Sequence, residues 1–346
     1  MRAALLHENE STLKLGIVDT PRIAQGEALV QVQAAGLCRT DLKFIRGLMK
    51  PRSYPHILGH EISGKVIEAM PADIRDEESL TVLEKTNYKA LVYFYLTCGG
   101  CFYCLSGKSN LCTKLARPGF ELPGGFCEYV KVPIRNLVAT SLDADAAVLT
   151  DAGATMLQAI RKVAPKSGTR IAFAGAGGLG TFGIQLAKQM GCEVVALDVD
   201  EKKLQFARSL GADGTLNVTD ADPTKVREIL DEKGGGRPVD IFVDLVGNES
   251  TQSLAIALLA KGGKLIQVGW TPTSFSQVTL KKLVYDELQI IGSVASFIED
   301  LRDFVELAEL GKIKLNVTKR YPLEEINSAI EELEQNKVIG RSIVVP

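Results

Sequence analysis

The sequence predicts an α/β chain with a β-rich first part and a second part built as a doubly wound parallel sheet. Three observations carry this reading. Up to about residue 150 the apolar runs are short, rich in β-branched and aromatic residues, and separated by Gly and Pro. Beyond that point buried strands alternate with amphipathic helices, the pattern of a parallel sheet covered by helices on both faces. The first strand–helix junction of that series carries a G-x-G-x-x-G turn at Gly175, Gly177 and Gly180.

Taken in order, AALL near the start, then ALVQVQAAG, GKVIEA, ALVYFYL and CEYVKV read as strands. Residues 70–90, MPADIRDEESLTVLEKTNYKA, are polar and charged and read as a surface excursion between strands. RIAFAGAGGLG is a strand running into the glycine turn, and TFGIQLAKQMG is an amphipathic helix. EVVALDVD is a second buried strand and EKKLQFARSLGA a second helix. VDIFVDLVG and GKLIQVGW are strands separated by the helix-like STQSLAIALLAKG, and LQIIGSVA closes the series. LRDFVELAELGK and LEEINSAIEELEQN are amphipathic helices, and GRSIVVP is a last strand whose partner the pattern leaves open.

A length of 346 residues suits two domains of ordinary size, each with its own core. Forty Lys and Arg stand against 42 Asp and Glu, so no basic field points to a nucleic-acid partner. The amino terminus, MRAALLHENEST, turns polar after its first residues and lacks the apolar core of a signal peptide. No apolar run reaches the ~18–20 residues that a membrane helix needs. A soluble, cytoplasmic protein without a membrane partner is the expectation.

The glycine turn lies between a buried strand and a helix, which is the context that gives such a pattern meaning. One glycine makes the tight turn, one lets a pyrophosphate approach the backbone, and one lets helix and sheet pack closely. The helix start at Gly178, Leu179 and Gly180 would then offer N–H groups and a positive dipole end to phosphates. Asp198 ends the next strand, at the distance expected of the acid that holds an adenosine ribose. With Asp200 and Glu201 beside it and no arginine, a 2′-phosphate would be repelled, so NAD is favoured over NADP.

Four of the seven cysteines crowd together as Cys98-x-x-Cys101-x-x-Cys104, with Cys112 eight residues on. Four thiolates with no open position describe a structural zinc site. A second constellation is dispersed. GLCRTD holds Cys38 and GHE holds His60 beside Glu61, whereas a catalytic zinc wants three protein ligands and one open position. Cys127, Cys192, His7, His56, Glu61 and several aspartates can each supply the third.

GLCRTD, GHE, the four-cysteine run and GAGGLG with its downstream Asp, in this order along nearly the whole chain, resemble the zinc-containing medium-chain alcohol dehydrogenases. The resemblance implies a β-rich, GroES-like catalytic domain over 1–151 and 295–346, with a Rossmann NAD-binding domain inserted over 152–294. It implies two zinc ions per chain, one structural and one catalytic, with Cys38, His60 and Asp151 as the catalytic ligands. Glu61 would lie beside the metal, and Asp41 would hold His60 in its metal-binding tautomer. Thr40 would take the substrate hydroxyl proton, and Lys43 stands where many members carry a histidine at the outer end of that relay. Arg39 and Arg341 match positions that reach the cofactor phosphates. The stretch after GKVIEA departs from the family pattern, the charged excursion replacing its usual glycine-rich turn.

The activity implied by the resemblance is an NAD-linked interconversion of a primary or secondary alcohol and its aldehyde or ketone. A semialdehyde reductase, a polyol or sugar dehydrogenase, or a reductase lacking catalytic zinc stands as the alternative. Relatives of this kind form homodimers or homotetramers, so a homo-oligomer is expected. A non-catalytic nucleotide-binding protein, or a zinc ribbon on nucleic acid, fits less well with a full ligand set and a net charge of −2.

Overall fold

The computed structural model describes residues 1–220, 222–233, 237–275 and 278–346. The chain divides into two compact units, one of Met1–Ala154 with Ser296–Pro346 and one of Thr155–Ala295.

The first unit is built on the strand Glu27–Gly36. Its burial alternates where Gln31 and Gln33 face solvent and Val30, Val32 and Ala34 face the core. Glu61–Met70 pairs with it antiparallel along one edge, with Gly36 opposite Glu61. The other edge is shared. Tyr129–Pro133 pairs with its first half, and Arg341–Val345 pairs with its last residues through Ile343 and Val344. GRSIVVP thus pairs within the first unit. Lys89–Val92 and Leu137–Ala139 extend the sheet beyond Glu61–Met70, and Val317–Pro322 extends it beyond Arg341–Val345. Leu13–Ile17, Arg2–Leu6 and His56–Ile57 form a separate small sheet.

Two sequence expectations change here. The charged excursion holds a helix, Ile74–Glu84, capped by Asp73, whose carboxylate accepts from the N–H groups of Arg75 and Asp76. Only Asp76 and Leu83 of this helix are buried, so it has no apolar stripe for the eye to find. ALVYFYL is a strand only over Lys89–Val92. Tyr93, Phe94 and Tyr95 leave the sheet and stay buried.

The second unit is one parallel sheet. In spatial order its strands are Gly214–Asn217, Glu193–Asp198, Arg170–Ala174, Val239–Asp244, Leu259–Gln267 and Gln289–Gly292. The chain therefore winds outward one way from Arg170–Ala174 and then the other, the doubly wound order. Both faces are covered. Phe173 packs on one face, where its ring and Met156 of the helix Ala152–Val163 both close on Gly183 of the helix Gly178–Gln189. Its neighbours Ala172 and Ala174 join the core with Leu254, Ala255, Leu258, Val226 and Leu230 on helices Glu249–Leu258 and Pro223–Lys233. The strand Gly214–Asn217 and the helix Pro223–Lys233 leave little mark on the sequence pattern. The strand is short and only half-buried, and the helix is strongly charged.

Phe173 is wholly buried against the helix Gly178–Gln189, so Phe173→Ala should destabilise the second unit by ~3–5 kcal/mol. A fall in denaturant midpoint with unchanged slope, monitored by circular dichroism, is the expected result.

Candidate metal centres and dinucleotide site

Cys38 ends the turn after Glu27–Gly36 and caps the helix Arg39–Ile45, while His60 immediately precedes Glu61–Met70. Strand pairing brings these two sequence-distant loops side by side. The fully buried carboxylate of Asp41 then fixes both. Its Oδ2 accepts from the Cys38 N–H at 2.9 Å, and its Oδ1 accepts from the Gly59 N–H at 3.3 Å. That same Oδ1 lies 3.5 Å from His60 Nδ1, leaving Nε2 to face the other way. Asp151, just ahead of the helix Ala152–Val163, places Oδ2 3.4 Å from His60 Nε2 and 3.8 Å from Cys38 Sγ. The ligand atoms of Cys38, His60, Glu61 and Asp151 all lie within 4.8 Å of one another.

The chemistry of this donor set fits a divalent cation. Burial pushes the His60 imidazolium down, but the carboxylates of Asp41 and Asp151 outweigh that and hold its pKa well above the ordinary value. A pocket that binds a proton so strongly between sulfur, imidazole and carboxylate is one that favours positive charge. Burial pushes Glu61 up to about 7, against the pull of Arg341.

Glu61 and Arg341 form a buried ion pair, with the Arg341 side chain only 5% exposed. Gly36 makes room for it, because a Cβ there would fall 2.0 Å from Glu61 Oε2. The Arg341 guanidinium, whose position the resemblance matches to cofactor phosphates, pairs here with Glu61. Arg39 lies on the surface and donates to Asn336 Oδ1 at 2.8 Å. Thr40 Oγ1 stands 3.7 Å from Cys38 Sγ. Lys43 follows one turn later on the same helix face, its amine pushed to lower pKa by burial.

Around His60 lies an aromatic frame that sequence reasoning missed. The rings of Phe94 and Phe120 lie 5.2 and 5.1 Å from the imidazole, and the Arg117 guanidinium sits 4.0 Å from the Phe120 ring. Arg117 is held there by a bidentate pair with Glu121. The aromatic density of YFY is the available signal, and it is equally compatible with a longer strand. Among the described residues, Cys127, Cys192, His7 and His56 do not join the cluster; Cys127 donates instead to the Gly124 and Tyr129 carbonyls.

The second cluster is local. Cys98, Cys101, Cys104 and Cys112 bring their sulfurs within 4.8 Å of one another, with Cys101 3.5 Å from Cys104 and 3.9 Å from Cys112. Four sulfurs at ~2.3 Å from one ion stand ~3.8 Å apart, so the loop is already near tetrahedral spacing. Gly99 and Gly107 take the left-handed turns that this tight loop requires, at φ +69° and +73°. N–H groups of Cys104 and Thr113 pull the Cys101 thiol down to about 5, favouring thiolate.

In the second unit, Gly177 caps the helix Gly178–Gln189 with no side chain of its own, and a Cβ there would meet nothing within 4 Å. The first-turn N–H groups are thus approachable by a ligand. Gly180 is required by packing, as its Cβ would lie 2.1 Å from the Gly175 carbonyl oxygen. The Asp198 carboxylate closes the turn, accepting from the Ala176 N–H at 2.7 Å and from the N–H groups of Val199 and Asp200.

Comparison with known proteins agrees with this architecture. Residues 24–141 match the alcohol dehydrogenase GroES-like domain, and residues 178–309 match the zinc-binding dehydrogenase domain. The chain is 34% identical to an NAD-dependent alcohol dehydrogenase of Sulfolobus acidocaldarius and 33% identical to an alcohol dehydrogenase of Moraxella sp., each over 99% of both chains. The crystal structure of an alcohol dehydrogenase from Aeropyrum pernix superposes with a TM-score of 0.87 at 31% identity, covering 100% of both chains. The chain belongs to the zinc-containing medium-chain alcohol dehydrogenase family.

Gly36→Ala should force the buried Glu61 carboxylate from its place and destabilise the first unit by ~1–3 kcal/mol. A lowered Tm is the expected outcome, and an unchanged Tm would mean that Glu61 has room to move.

Proposed function

We propose that this chain is a zinc-dependent, NAD-linked alcohol dehydrogenase interconverting a primary or secondary alcohol and its aldehyde or ketone. The observation that carries this is the convergence of Cys38, His60, Asp151 and Glu61 within 4.8 Å in a chain of this family. The unit containing Cys38 and His60 is read as the catalytic domain, and the parallel-sheet unit as the NAD domain.

Cys38, His60 and Asp151 are read as the catalytic metal's ligands, and Cys98, Cys101, Cys104 and Cys112 as those of a structural ion. Zinc, when bound, supplies Lewis acidity toward an alcohol or carbonyl oxygen, and NAD supplies the redox capacity. The chain's own groups do the rest. Asp41 keeps His60 in one orientation, Nε2 toward Asp151. Thr40 accepts the substrate hydroxyl proton as it gives its own to the nicotinamide ribose, and from there the proton leaves through Lys43, whose amine burial holds at lowered pKa, or through water. Arg341 balances Glu61 so that a second carboxylate can stand behind the ligands.

The N–H groups of Gly178, Leu179 and Gly180 are assigned to the pyrophosphate, with Gly175 and Gly177 shaping the turn and Asp198 on the adenosine ribose. Arg39 is assigned to the phosphates. A homodimer or homotetramer is supported by exposed Leu280, Val284 and Tyr285 on the helix Leu280–Tyr285 and exposed Ile290 on the edge strand Gln289–Gly292. Seven cysteines without a disulfide fit a reducing, cytoplasmic setting.

Elemental mass spectrometry of the purified chain should find two zinc ions, and Asp151→Ala should leave one and abolish NAD-linked alcohol oxidation. One ion in the wild type would overturn the two-site assignment. Thr40→Ala should lower turnover ~100-fold or more while NAD affinity holds. Equal loss in both would remove Thr40 from the proton relay.

A further inference from the structure

The aromatic frame around His60 ends in a polar pair that the chemistry described above does not use. Phe120 and Glu121 lie in a tight loop, where the Arg117 carbonyl accepts from the N–H groups of Phe120, Glu121 and Leu122 at 3.0, 3.1 and 3.1 Å. The loop is clamped to the residue before His60: a Cβ on Gly119 would fall 2.9 Å from the Gly59 carbonyl carbon and oxygen. Arg117 and Glu121 close on each other with two hydrogen bonds, Nε to Oε2 at 3.0 Å and Nη2 to Oε1 at 2.6 Å. The guanidinium sits over the Phe120 ring at 4.0 Å, and that ring stands 5.1 Å from the His60 imidazole. It also lies 5.6 Å from the Tyr95 ring. Burial pushes the Tyr95 hydroxyl up in pKa against the pull of Arg117, and the charges of Asp151 and His60 act on the same hydroxyl. Tyr95 and Phe120 therefore join the pair to the Cys38, His60 and Asp151 cluster.

The side chains of Arg117 and Glu121 are 19% and 23% exposed, so both charges have lost most of their water and neither is closed off. A guanidinium carries more N–H donors, and a carboxylate more lone pairs, than one bidentate contact uses. The remaining donors and acceptors stand side by side on a fixed loop. Their charges cancel, so the pair holds no net attraction for an ion. A hydroxyl group, which both donates and accepts, satisfies such a pair at once. An alkyl chain laid against it would strip water from two charges and give no hydrogen bond in return.

We propose that Arg117 and Glu121 select the substrate: the alcohol carries a second hydroxyl, as a diol or polyol does, and the pair holds that hydroxyl while the reacting one lies toward His60. The inference rests on the alcohol dehydrogenase reading above. Both residues determine specificity and take no part in hydride or proton transfer.

The test is steady-state kinetics of the zinc-loaded full chain with NAD. The kcat/KM values for 1,3-propanediol, 1,4-butanediol and 1,5-pentanediol are set against those for the alkanols of the same length. At least one diol should exceed its alkanol about ten-fold, the scale of one hydrogen bond to a charged group. The double variant Arg117→Met with Glu121→Leu removes both partners and leaves no unpaired charge, so it should lower that ratio about ten-fold, chiefly through KM. The isosteric Glu121→Gln, which carries the comparison if the double variant does not fold, should lower it about three-fold. Alkanols preferred over every diol, or a ratio that the variants leave unchanged, overturns the proposal. So does a preference for 4-hydroxybutanoate over 1,4-butanediol, which would make Arg117 a reader of carboxylates. A wild-type chain inactive toward all of these alcohols overturns the alcohol dehydrogenase reading itself, and this inference with it.

Discussion

The buried pair of Glu61 and Arg341 ties distant parts of the chain to its chemistry. Glu61 opens the strand after His60, and Arg341 opens the strand Arg341–Val345. Both strands flank Glu27–Gly36, and that strand's final residue is a glycine because the carboxylate occupies the space of a side chain. Removing one partner of such a pair leaves an uncompensated charge in the core, at a cost on the order of 3–5 kcal/mol. The ordering of the last strand, the position of His60 and the charge beside Cys38 and Asp151 are thus one problem with one solution.

The two candidate metal clusters gather their residues differently. The four cysteines stand within 15 residues of sequence, and glycine turns bend the loop until the sulfurs meet. The second cluster draws on residues 38, 60, 61 and 151, and sheet pairing gathers them. Asp41 is what converts that pairing into a fixed geometry, because its two oxygens reach the loops on both sides. The local cluster depends on turn chemistry and the dispersed one on the whole sheet.

This contrast explains what is legible without coordinates. The four-cysteine run and the glycine turn are legible because their spacing is short and each has one physical use. Of the dispersed cluster, residue chemistry alone offers Cys38 and His60, with many residues eligible as the third ligand; Asp151 comes from family resemblance. The ion pair of Glu61 with Arg341 is illegible, since nothing local distinguishes a buried arginine from one on a surface, and its partner lies about 280 residues away. In the fold, the core strands are plain from their apolar runs. The helix Ile74–Glu84 and the strand Gly214–Asn217 are hidden, because each buries too little to leave a periodic trace. The aromatic cluster from Tyr93 to Tyr95 is visible, but its apolarity fits a longer strand equally well.

The antiparallel return of Arg341–Val345 has a meaning for how the protein is made. Ribosomal synthesis delivers Cys38, His60 and Asp151 long before Arg341 emerges. Until it does, the sheet lacks a strand and Glu61 lacks its counter-charge. A chain that stops short of Arg341 carries Cys38, His60 and Asp151 around an unbalanced buried acid. The pairing of the last strand and the neutralisation of Glu61 are therefore completed by the same strand, which opens on Arg341.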